Sequence, residues 1–468
     1  MRRATEQEPL GVSQFGLPEP ASIGIRSIAE ILANPETTTD HVAVRSYEAI
    51  MNWALDHRTA SLPLLQAFAT TELLGTGEKS QLGYHQDPDV VDAVMGMRSL
   101  SAPADTQTTV GWSVEGLSRS KIKPYQHTRF THTLFAVEHA IVIGENLKLS
   151  PQEIALLATA VAYHDTGHAP LSHVGDEVLE DYGRLSHEER ATQILRKYVD
   201  PEYAQRLSDI ILEKPGFGQI LKILDTWAYL RLDMPEAGLK LNVPYIPTMF
   251  GEHILLNNDQ GYIQVDEIGE QALRDLLNAR AHAFGFFYTH PNSLALEAMH
   301  KKALKILIDA GKLSPDVLER QSDQHIYAAL VHDAVGERLS GDLLGGFHID
   351  RTSISEGPYI PVLWVEEEVF GGKSAGEIEQ WAQQALGVRD TRDLVVAMPQ
   401  PPWTKVITVI RSSGDRINLQ ADKISYFPQQ GKIIICVNRK LGADVLQRIS
   451  SVPSSPDFHQ ASTATAAP

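Results

Sequence analysis

The chain has 468 residues, enough for two or three structural units and a sizeable core. A hydrophobic fraction of 43% and a charged fraction of 21% exclude a collagen-like, coiled-coil-only or wholly disordered protein. With 41 lysines and arginines against 59 acids, a net charge of −18, the surface argues against non-specific nucleic-acid binding and anionic membranes; an anionic small substrate would need a local cluster of positive charge or a metal.

In chain order, residues 1–40 read as a tail, partly disordered, opening on a Glu-, Pro-, Gly- and Ser-rich stretch. No apolar segment follows Arg2-Arg3, so a secretory signal is not expected. From 41 to 350 the helical period dominates and one helical domain is expected. Gly75–Ser80 lacks the Gly-x-x-x-x-Gly-Lys-Ser/Thr spacing of a phosphate loop and reads as a plain loop. It opens a Gly/Ser/Thr-rich stretch, 75–125, that is either a long functional loop or an insertion. The basic run Arg119–Lys123 is a solvated segment or a collector of anionic substrate. Ser150-Pro151-Gln152-Glu153 is a helix start, with serine as cap, proline in the first turn and glutamate reaching back. Ile154–Ala162 follows, apolar nearly all round, so this helix should be central. The stretch Leu224–Asp233 reads as helix. A further helix runs from Ser293 to Ala310 and stops at Gly311, and Ser314-Pro315-Asp316 opens another.

Beyond 350 the pattern changes. Ile360–Val365, Lys405–Ile410 and Lys432–Val437 are β-rich runs, and Ala375–Leu386 between them is helical. The expected architecture is therefore mainly α, with a smaller C-terminal α+β lobe over 351–450 and a disordered tail at 451–468. The single cysteine, Cys436, excludes a disulfide framework or Cys-rich zinc site and reads as a small buried hydrophobe. It fits a reducing compartment, and no apolar run reaches the length of a bilayer span, so a cytoplasmic location is expected.

Chemistry concentrates in one region. His127, His132, His164, His168, His173 and His187 fall within about sixty residues, interleaved with acids. His164-Asp165 directly follows the most apolar helix, where a rigid scaffold and a low-dielectric wall suit metal ligation. His132 upstream and Asp225 downstream complete a candidate four-ligand set. Asp225, Tyr229 and Asp233 recur every four residues and so share one helix face. His127 and His139 read as structural or surface residues.

The ordered pattern Arg129-Phe130-Thr131-His132, His164-Asp165-Thr166-Gly167-His168, Ser172-His173, His187-Glu188 and Asp225-x-Trp227-x-Tyr229-x-x-x-Asp233 resembles the HD-domain phosphohydrolases. With Tyr288-x-His290 it is most similar there to the deoxynucleoside triphosphate triphosphohydrolases, the dGTPase-like enzymes, over about 125–340. The resemblance implies an HD-domain helical core. It implies that His132, His164, Asp165 and Asp225 hold a divalent ion, with Mn, Fe, Zn and Mg left open. It assigns phosphate contact and proton transfer to His168, His173, Asp176 and His187, phosphate binding to Arg129 and Arg280, and sugar contacts to Tyr229, Asp233 and Tyr288. It also implies a nucleotide substrate, an allosteric nucleotide and a homo-oligomer. Two positions depart from the pattern: Thr226 stands where a phosphate-binding lysine is found in the vertebrate relative, and Gln81-Leu82-Gly83 lies far ahead of Arg129.

A divalent ion at such a set would neutralise phosphate charge and acidify water, and a histidine near its natural pKa would protonate the leaving oxygen. His187 or His173 with Asp176 is the candidate for that transfer. The expected reaction is attack of water at the α-phosphorus of a deoxynucleoside triphosphate, releasing deoxynucleoside and inorganic triphosphate. Two alternatives stay open: a hydrolase of another nucleotide or phosphate ester, and a nucleotide-binding regulator without turnover.

Overall fold

The structure, a computed structural model, describes residues 129–196, 200–236, 241–257, 261–289, 291–320, 359–390, 393–398, 405–422 and 432–438, with isolated positions at 45–53, 326, 441, 444 and 445. Both predicted tails, the 75–125 stretch with Gly75–Ser80, Gln81-Leu82-Gly83 and Arg119–Lys123, and His127 and His290 lie outside the described residues.

Helix α1 (Arg129–Asn146) packs on α2 (Pro151–Tyr163), which begins as the sequence predicts. The Ser150 side chain accepts from the Glu153 amide, and the Glu153 carboxylate accepts from the Ser150 amide at 2.8 Å. Every residue from Ile154 to Tyr163 is buried, so α2 is the central helix. Its last turn delivers His164 and Asp165 to one end of the core. Next come α3 (His173–Asp181), α4 (His187–Leu195), α5 (Pro201–Ile211) and the long α6 (Phe217–Glu236). Trp227 sets the rotation of α6. It is fully buried, stacks on Phe135 at 5.2 Å and donates its indole N–H to the Pro244 carbonyl at 2.9 Å. Asp225, two residues earlier, is thereby turned to the opposite side.

A hairpin of β1 (Ile254–Asn257) and β2 (Tyr262–Val265) leads into α7 (Glu267–Ala283), which continues as a π-helical turn over Phe284–Tyr288. Then follow α8 (Pro291–Asp309), Gly311 at positive φ, and α9 (Pro315–Arg320). The C-terminal region contributes β3 (Tyr359–Glu366), α10 (Glu367–Phe370), α11 (Ala375–Leu386), β4 (Leu394–Ala397), β5 (Ile407–Arg411), β6 (Arg416–Leu419) and β7 (Lys432–Asn438). The architecture is mainly α with strands in two sheets.

One sheet has the order β3-β7-β4. Its residues alternate between two cores, as the two-residue strand period requires. Val395, Ile434 and Cys436 face Met299 and Leu304 of α8, whereas Leu394, Ile433 and Ile435 face Ile378 and Leu386 of α11. The other sheet, β1-β2-β5-β6, is built differently from expectation. The early hairpin supplies two strands, and β5 joins β2 in parallel, Ile263 opposite Val409. Strand pairing therefore crosses the division expected near 350. Ile254, Ile263, Ile407 and Val409 belong to the same core as Leu157 and Trp227.

Candidate metal centre

The loop from His164 to Ser172 leaves α2 in a tight path. Gly167 is required by close approach: a Cβ there would stand 1.9 Å from the His187 carbonyl oxygen. Leu171 and Ser172, both buried, take positive φ of 66° and 56°. Such strain in side-chain-bearing residues persists only where the surroundings over-determine it. The loop is thus pressed against the first turn of α4, which brings His187 beside His168.

Two groups of ligand-type side chains result. In the first, ligand atoms of His132, His164 and Asp165 all lie within 4.8 Å of one another, and all three residues are buried. Asp225 Oδ1 is 3.2 Å from His132 Nε2 and 3.6 Å from His164 Nε2. His164 Nδ1 sits 2.7 Å from the Val161 carbonyl and must donate to it. Its buried Nε2 has no hydrogen-bond partner, yet it faces Asp165 Oδ1 at 3.2 Å as well as Asp225. A neutral ring would turn a lone pair towards two carboxylates, which only a cation between them makes favourable. Without one, the ring must hold a proton: burial alone would lower the His164 pKa, but Asp165 and Asp225 outweigh it and push it up to about 9. Asp225 is held well below the usual carboxylate range, against the upward push of burial, by His132, His164 and Lys405. Two imidazoles and two carboxylates at one end of a rigid helix fit a divalent ion with N/O preference.

In the second group, His168, His173, Asp176 and His187 also place ligand-type atoms within 4.8 Å. His168 joins the two groups, Nε2 lying 3.4 Å from Asp165 Oδ1 and Nδ1 2.5 Å from Asp176 Oδ2. Asp176 accepts from the Ala169 amide at 2.9 Å and from Arg190. Arg190, buried, also donates to the carbonyls of Gly167 (2.7 Å) and Leu185 (2.5 Å). His187 stacks on His168 at 3.9 Å, with rings 13° apart. Burial, reinforced by positive charge on His168, pushes the His187 pKa down to about 2. His173 stands at the rim, its side chain 58% exposed, 3.8 Å from Asp176.

The wall beyond Asp225 carries the remaining predicted residues. Tyr229 and Tyr288 meet edge to face at 6.0 Å, Tyr288 donates to Asp233, and Arg280 bonds the Tyr229 hydroxyl and lies 4.1 Å over the Phe284 ring. Burial raises the Tyr229 pKa, keeping it a neutral hydroxyl. Arg129 begins α1, but its side chain lies outside the described residues. His139 is internal, bridging the Phe135 carbonyl and the Tyr245 hydroxyl, each at 2.8 Å.

Sequence reasoning missed two residues. Arg190 follows His187 by three positions, a helical spacing that would have marked it. Lys405 gave no such signal. It precedes β5 rather than opening it, yet its ammonium reaches 3.7 Å from Asp225 Oδ2. Burial lowers the Lys405 pKa, and Asp225 partly restores it. Thr226 is buried and donates to the Lys222 carbonyl at 2.9 Å, away from this wall.

Residues 129–240, which carry both groups of ligand-type side chains, match the family model of the HD domain. The chain is also similar to proteins named deoxyguanosinetriphosphate triphosphohydrolase-like. The one from Clostridium perfringens is 28% identical over 130 residues, 24% of this chain and 37% of the relative. The one from Caldanaerobacter subterraneus is 32% identical over 127 residues, 24% of this chain and 36% of the relative. The chain therefore spans little more than a third of the length of these curated relatives. A phosphohydrolase structure from Bacteroides thetaiotaomicron, 20% identical, superposes with a TM-score of 0.50, covering 67% of this chain and 88% of the other, a likeness of fold. Among the described residues, no helix is long and apolar enough to cross a membrane.

Proposed function

We propose that this protein is a divalent-metal-dependent phosphohydrolase that cleaves deoxynucleoside triphosphates into deoxynucleoside and inorganic triphosphate. The observation that carries the reading is the convergence of the buried His164 Nε2 on Asp165 at 3.2 Å and Asp225 at 3.6 Å, with His132 completing the set. When bound there, the ion would supply Lewis acidity towards a phosphoryl oxygen and towards water.

The chain's own residues supply the rest. Asp165 fixes His168, and His168 fixes Asp176, so a line of alternating imidazoles and carboxylates runs from the ion site to Arg190. Charge developing on the phosphate oxygens is met by donors already in place. Proton delivery to the leaving oxygen falls to His173, open to the cleft and 3.8 Å from Asp176. His187, neutral and stacked on His168, serves as hydrogen-bonding partner rather than acid. Tyr229, Tyr288 and Asp233 form a wall with apolar faces and one carboxylate, the chemistry a deoxyribose ring and its hydroxyl require.

The test is incubation of protein loaded in turn with Mn, Fe, Zn or Mg with single nucleotides, and identification of the products. Release of inorganic triphosphate from dNTPs is the expected result, abolished in Asp165→Ala together with metal binding. Release of monophosphate or pyrophosphate instead would identify a hydrolase of other phosphate esters, and binding without product a regulator.

A further inference from the structure

A lysine from the C-terminal region lies among the residues of the candidate centre. The Lys405 side chain is 16% exposed, open enough to touch a ligand but short of full hydration. Its ion-pair partner is Asp225, at 3.7 Å, a separation too long for a direct hydrogen bond. Asp225 meanwhile turns its other oxygen to His132 and His164. After Asp225, Glu213 is the next anion acting on the ammonium, but Lys222 already engages its carboxylate at 2.6 Å, and Arg280 and Lys222 add positive potential there. An ion drawn in by His132, His164 and Asp165 would take up the charge of Asp225. The ammonium would then keep only the field of Glu213, a carboxylate already shared with Lys222, and a partly buried charge so weakly matched attracts a further anion.

The position of Lys405 is built rather than accidental. Gln219, on the same helix as Asp225, donates to the Thr408 carbonyl at 3.1 Å and accepts from the Ile263 amide at 3.1 Å. That one side chain bolts β5 and β2 to the Asp225 helix. Arg411 at the end of β5 grips Glu270 of α7 through two bonds of 2.7 and 2.8 Å, and α7 also carries Arg280. Asn278 of α7 exchanges two bonds with Asp422, at 3.0 and 2.8 Å. The segment bearing Lys405 is therefore fixed against both helices that supply the wall.

We propose that Lys405 is a phosphate-binding residue of the cleft, reaching the substrate's phosphate oxygens from the β5 side of Asp225, opposite the histidines. This rests on the reading of the cleft as a phosphohydrolase site. It predicts that binding of an oligophosphate depends on a residue outside the HD segment 129–240.

The probe is inorganic tripolyphosphate, titrated calorimetrically into the metal-loaded full chain. Lys405→Gln should keep its metal, weaken tripolyphosphate binding by about tenfold or more and raise KM more than it lowers kcat, as loss of a charge-assisted contact predicts. Lys405→Arg should recover most of the affinity. Lys214→Gln, which removes an exposed lysine paired with Asp209, should change nothing and so control for net charge. A wild-type measurement covers the case in which a variant does not fold: saturating tripolyphosphate should protect Lys405 from amine acylation, as mapped by mass spectrometry. Unchanged labelling, or a Gln variant that sheds its metal while its metal-loaded fraction binds tripolyphosphate normally, would overturn the assignment and leave Lys405 as a positioning partner of Asp225. Protection of Lys405 in a protein that hydrolyses no nucleotide would sustain the phosphate site while overturning the proposed reaction.

Discussion

At the scale of single residues, the site depends as much on the groups that restrain it as on those that face the cleft. Arg190 is the clearest case. It is buried, and its guanidinium spans Asp176 and the carbonyls of Gly167 and Leu185, tying the strained loop, α3 and α4 into one unit. Burial pushes the Asp176 pKa up, but the charge and hydrogen bond of His168 overcome it, so the carboxylate stays ionised. Replacing Arg190 by methionine fills much of the volume but leaves that charge with one strong partner fewer. The expected cost is about 3–5 kcal/mol, the range for breaking a buried ion pair on one side. Urea denaturation measures it. The double variant Arg190→Met, Asp176→Asn should recover part of the loss, because the stranded charge has gone. A double variant whose loss equals the sum of the two single losses would mean that the two residues are not coupled as described.

At the scale of elements, the contacts that are local in sequence are the ones the sequence revealed. The Ser150–Glu153 box announces α2, and the same signal, Ser374 with Glu377, opens α11, which closes on Gly387 at φ 65°. These patterns rest on groups three or four residues apart, so local chemistry suffices to read them. The β1-β2 hairpin escaped notice because its decisive pairing is with β5, Ile263 against Val409, nearly 150 positions on. Lys405 escaped for the same reason. The His164–Ser172 loop is intermediate: its histidines were legible, but its fold depends on contact with α4. Gly167 makes that dependence testable. An added methyl would meet the His187 carbonyl oxygen at 1.9 Å and the Ala191 nitrogen at 2.5 Å, both backbone atoms that cannot swing away. Gly167→Ala should therefore move α4 and cost about 1–3 kcal/mol. It should also lower turnover more than metal content, since the methyl meets the backbone of α4 and not His132, His164 or Asp165. A variant with wild-type stability and rate would show that α4 is not held by this contact.

At the scale of the whole molecule, the candidate cleft is assembled by two parts of the chain that are far apart in sequence. The helical core supplies imidazoles and carboxylates; the β5 segment covers the Asp225 side and brings in Lys405. The Glu270 clamp is one of the joints between them, and it responds to pH. Hydrogen bonds from Arg411, then from Arg274, hold the Glu270 pKa down to about 2, against the opposing effect of burial. A carboxyl lowered on folding contributes its stability above its ordinary pKa and loses it as pH falls towards the folded value. The joint should therefore be whole at pH 5 and above, weaken from about pH 4.5, and be spent near pH 2. Arg411 is half exposed, so solvent screens the pair and the contribution is small. The difference in stability between wild type and Glu270→Gln isolates this joint from the other acids that titrate in the same window. That difference should be constant from pH 5 to 7 and close as the solution is acidified. At neutral pH the variant should also bind tripolyphosphate more weakly than wild type, though less so than Lys405→Gln, because it loosens the strand and leaves the ammonium in place. A stability gap that stays constant down to pH 2 would mean that Glu270 holds the two parts together by packing rather than by charge.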